Sequence, residues 1–92
     1  MTKALEDKFE TYHKENLRVY ELFVRFAQEA LNSGYKTFSA NAIFERIRWY
    51  VSVETVGDPF KLNNNYRPYY ARKLMLDKPE FEGFFNTRSL QE

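Results

Sequence analysis

Residues 17–32, LRVYELFVRFAQEALN, constrain the fold more than any other part of the chain. Val19, Leu22, Phe23, Phe26, Ala27, Ala30 and Leu31 recur at intervals that lay side chains along one face of an α-helix. Arg18, Glu21, Arg25, Gln28, Glu29 and Asn32 take the opposite side. Asn16 stands before the run as a candidate N-cap, and Gly34 follows it where a left-handed C′ residue is favoured. An apolar stripe this broad is the wall of a core, and the rest of the chain has to cover it.

With 92 residues, that cover must be economical, because a short chain buries only about two thirds of its unfolded surface. Nine Phe, seven Tyr and one Trp supply the bulk, each able to bury roughly 150–250 Å². The expectation is one domain over residues 1–92, with 1–15 as an N-terminal helix or arm and 16–90 as the core.

Within residues 4–14, Leu5, Phe9 and Tyr12 mark a short, mostly polar helix. YKTF, residues 35–38, suits a brief strand. Ser39 offers an N-cap for a helix over about 40–51, with Ile43, Ile47, Tyr50 and Val51 inward. VSVETV, residues 51–56, fits either an extension of that helix or a small strand. Gly57, Asp58 and Pro59 mark a turn. A further helix covers about 66–78, with Pro68 tolerated in its first turn and Asn65 or a neighbour as cap. After Pro79 and Gly83, residues 84–88 read as a closing strand beside 35–38. The expected class is α+β, mainly helical: a small winged-helix-like domain with three core helices and a minimal β-sheet. The connector between the second and third core helices, about twelve residues, is longer than the 3–4 of a helix-turn-helix.

The net charge of +1 carries no global polyanion signature, but the distribution is uneven. Lys61, Arg67, Arg72 and Lys73 lie between Asp58 and Asp77 with no acid among them. If Tyr70, Ala71 and Leu74 face the core, then Tyr69, Arg72, Lys73 and Leu76 turn away from it. Bases neutralise phosphate, and Arg and Asn match the edges of guanine and adenine. The leading expectation is a regulatory protein that binds double-stranded DNA through the basic helix. Lys61, Arg67, Arg72 and Lys73 would meet phosphate, Asn64, Asn65 and Arg72 the base edges, and Tyr69 the backbone or a base. The bland reading of the three asparagines is a turn and a cap.

The alternative is a non-catalytic protein-interaction module, a homodimer or an adaptor for a host protein, using Phe44 and Trp49. Trp49 borders the helix stripe and is read first as core, second as an interface anchor. Nothing points to catalysis. His13 lacks converging metal ligands, and Ser33, Ser39, Ser52 and Ser89 lack an activating base. Three scattered glycines make no phosphate loop, and Glu80 and Glu82 read as solvated. No metal, cofactor or small-molecule substrate is expected. The charged N-terminus, the lack of cysteine and the lack of a membrane-length apolar run suggest a cytoplasmic protein with no membrane partner.

FSANAIFERIRW, VETVGDPFKLNNNYRPYYARKL and PEFEGFFNTR together resemble a family of short, mostly uncharacterised phage and prophage proteins with a winged-helix-like pattern. The resemblance runs from about residue 9 to residue 90. It implies a mobile-element setting, where small regulators and host-interaction proteins are common, and it brings no catalytic motif. Leu17 departs from the family's pattern, in which a proline follows the capping Asn, and this touches only the start of one helix.

Overall fold

The computed structural model describes residues 3–54, 62 and 64–85. Four α-helices account for most of them: α1 (Lys3–Glu15), α2 (Leu17–Asn32), α3 (Ala40–Trp49) and α4 (Arg67–Asp77). The stripe on α2 behaves as its spacing dictates, with Val19, Leu22, Phe23, Phe26, Ala27 and Ala30 all buried. Across it lie Ile43, Phe44 and Ile47 of α3 and Tyr70, Ala71 and Leu74 of α4. One ring from each helix meets at the centre. Phe23 lies 5.8 Å from Phe44 and 6.0 Å from Tyr70, and Phe44 lies 6.2 Å from Tyr70. Each such ring contributes about 1.5–3 kcal/mol through burial.

The helix ends follow local chemistry. The Ser39 side chain accepts a bond of 3.2 Å from the Ala42 amide, capping α3. Gly34 takes φ +102° just past α2, a backbone state that side chains resist. Asn16 behaves differently from its expected role. It occupies the N-cap of α2 without a side-chain capping bond, and its Nδ2 instead donates to the Tyr12 carbonyl at 2.9 Å. Ahead of α4, Asn64–Tyr66 form a 3₁₀ turn, and the N-cap is Tyr66, which makes no side-chain capping bond. Pro68 sits in the first turn.

The expected winged-helix-like sheet is not formed: no strand occurs among the described residues. Residues 35–38 and 84–85 do meet, but as a single parallel bridge between Phe38 and Phe85, with the Phe38 amide donating to the Phe84 carbonyl at 2.9 Å. The reason lies in burial. A half-covered strand alternates inward and outward, whereas Phe84 and Phe85 are consecutive and both buried. With Phe81 they repeat at helical spacing, around a 3₁₀ turn at Pro79–Phe81 and a left-handed Gly83. This segment wedges three rings into the core rather than pairing along an edge. Residues 86–88 of the expected strand lie outside the described residues. So do 55–56 of the ambiguous segment, while Tyr50–Glu54 continue α3 as a π-helical turn.

Candidate interaction surface between α1 and α4

Helix α1 is held against α4 by rings. Phe9 is buried, 4.9 Å edge-on to Tyr70, 5.2 Å from Tyr69 in a stack, and 5.8 Å from Tyr66. Tyr12 lies 4.7 Å from Tyr66. His13 completes the seam, edge-on to Tyr20 at 5.4 Å and to Tyr70 at 5.7 Å, with its Nδ1 3.4 Å from the Tyr70 hydroxyl. Burial pushes the Tyr70 phenol far above the usual tyrosine range, reinforced by Tyr12 and Tyr66.

Beyond the seam the two helices leave an open groove of about 360 Å³. Phe9 and Tyr69 form its apolar floor, Glu10 stands on the α1 side, and Arg72, Lys73 and Leu76 stand on the α4 side, with Asp77 at one end. Leu76 is 80% exposed. Arg72 and Glu10 are both exposed, and neither makes a hydrogen bond or ion pair among the described residues.

The expected nucleic-acid residues that are described have different surroundings. Tyr69, Arg72 and Leu76 share one stripe of α4, as helical spacing requires, while Asn65 lies in the 3₁₀ turn ahead of it; Asn65 and Arg72 are exposed. Tyr69 is half-buried beneath Phe9. Lys73 is also half-buried, paired with Asp77 at 3.3 Å and lying 5.3 Å from the Tyr20 ring centre. Arg67 points along the α3 flank and donates to Asn41 at 2.6 Å. Asn64 opens the 3₁₀ turn, and Lys61 lies outside the described residues.

Of the two expected interface residues, Phe44 is fully buried between α2 and α4 and offers no surface. Trp49, read first as core, is 58% exposed. Phe9 and Glu10 are not among the site residues expected from the sequence, where Phe9 only marks a helix. The signal for Phe9 was present, because its spacing from Leu5 and Tyr12 gives α1 an apolar edge that needs a partner.

Among the described residues, no group of three or more His, Cys, Asp or Glu could hold a metal ion. None of the described helices is long and apolar enough to cross a membrane. No protein-family model, curated protein or solved structure matches the chain.

Proposed function

We propose that this chain is a non-catalytic protein-interaction module that receives a polypeptide surface in the groove between α1 and α4. The setting is the cytoplasm of a cell carrying a phage or prophage, as the sequence resemblance implies. The observation that carries the reading is the exposed Leu76 standing beside a groove floored by the half-buried Tyr69, with Phe9 buried against it. Burying Leu76 and the floor against a partner returns free energy that water now denies them. The bases weigh the same way. DNA binding calls for a contiguous basic face, yet Arg67 is engaged by Asn41 and Lys73 by Asp77.

Duplex DNA is a second reading because Asn65, in the turn ahead of α4, and Arg72, on α4, are both exposed. That pair could meet a base edge and a phosphate.

One experiment separates the two. A benzophenone amino acid replacing Leu76 is photo-activated in cells, and adducts are resolved by mass. Protein adducts that disappear with Tyr69→Glu support the interaction module. Adducts to nucleic acid alone transfer the function to the second reading, with salt-dependent duplex binding as its check. The absence of any adduct overturns both.

A further inference from the structure

We infer that the occupant of this groove is a second copy of the same chain, which rests on the interaction reading above. The groove carries both halves of a contact. Its hole is the floor of Phe9 and Tyr69, and its knob is the protruding Leu76. Its rims have opposite sign, Glu10 on α1 and Arg72 on α4; both are exposed, and Glu10 acts on His13 only through its charge. The other two charges at the site, Lys73 and Asp77, satisfy each other.

A two-fold axis pairs residue i with j and j with i, so a surface holding knob, hole and both signs can complete itself. Tyr69 and Leu76 lie on one stripe two turns apart, about 10 Å along the helix. Antiparallel apposition of α4 on α4 therefore sets Leu76 of each copy over the Tyr69 floor of the other. Arg72 lies between these contacts, close to its own counterpart. Pairing with Glu10 of the second copy draws each guanidinium away from the axis. The same proximity makes the dimer sensitive to loss of Glu10, which would leave two guanidiniums facing each other without a counter-charge.

Sedimentation equilibrium of the full chain tests the inference, with circular dichroism to check that each variant is folded. The substituted side chains are exposed, so folding is retained. Wild type is expected to dimerise reversibly. Arg72→Glu and Glu10→Arg should each weaken the dimer about tenfold, and the double exchange should recover most of that loss. Leu76→Asp should leave a monomer, whereas Trp49→Ala, on the far end of α3, should change nothing. A monomeric wild type overturns the inference, as does a dimer indifferent to the charge exchange. If the chain is monomeric while residue 76 still captures a different protein, only the choice of occupant fails and the interaction reading stands.

Discussion

The Tyr20 phenol donates a hydrogen bond of 2.7 Å to the Asp77 carboxylate, joining residues 57 positions apart. It ties the first turn of α2 to the last residue of α4. The Lys73 ammonium adds to it, 3.3 Å from the same carboxylate oxygen and 5.3 Å from the Tyr20 ring centre. Burial and this carboxylate hold the phenol far above its ordinary range, and the hydrogen bond with the neighbouring Lys73 holds Asp77 below its usual value.

Tyr20→Phe should therefore cost about 0.5–1 kcal/mol at neutral pH, at the modest end for a bond this exposed. Asp77 has a folded pKa below its reference of 3.8, so its contribution is complete above that value. It fades as the pH falls through the lower folded pKa. Urea titrations of both proteins at neutral and strongly acidic pH should show the difference shrinking in acid. A constant difference would mean that Asp77 is not the partner that matters.

His13 reports on the α1 seam. Burial, then the nearby Lys73, lowers its pKa from 6.5, against the opposing pull of Glu10 and Asp77. The folded state therefore binds its proton less readily than the unfolded chain. Stability is complete above about pH 6.5, declines as the pH falls towards the folded pKa, and levels off below it. His13→Gln should flatten urea midpoints measured from about pH 7.5 down to about pH 5. The wild-type imidazole should titrate below its reference value by NMR.

Tyr70 is the residue the fold can least spare. It is fully buried and touches rings of α1, α2 and α3 at once. Tyr70→Ala should cost about 3–5 kcal/mol, the range for removing a large buried aromatic. In a domain of this size that is most of the available stability, and the expected thermal melt is lost or very broad. Tyr70→Phe should cost no more than about 1 kcal/mol, because only the long contact with His13 is removed.

Ser39→Ala removes the one side-chain bond that caps α3. The expected loss is about 1 kcal/mol, with Ser39→Asp restoring most of it. Thermal melts of the two variants at one pH decide the matter.

The helices could be read from the sequence because each carries its own instruction. The stripe from Val19 to Leu31 can be satisfied in one way, and Gly34 and Ser39 announce an end and a beginning. The sheet was misjudged because Phe84 and Phe85 have strand-like composition but follow a turn that buries both. Only their tertiary contacts, Phe85 on Phe23 of α2 and Phe84 beside Phe38, settle their direction. The site was partly legible. Spacing put Tyr69, Arg72 and Leu76 on one stripe, but could not show that Phe9 would lie on Tyr69 or that Tyr20 would bind Asp77. Such pairings join α1 and α2 to α4, and no local period encodes them. Trp49 was misjudged for a related reason: a residue at the edge of a stripe is buried or bare depending on the neighbour that α3 receives.

The bridge between Phe38 and Phe85 also sets an order in time. Helices α2 and α3 are close in sequence, so their packing needs little loop closure and is fast. Phe38 and Phe85 are separated by all of α3 and α4, and the entropy of closing so long a loop favours their meeting after those helices have docked. The three terminal phenylalanines thus act as a latch, closing a chamber whose walls already stand. Stabilising the latch should slow unfolding far more than it speeds folding.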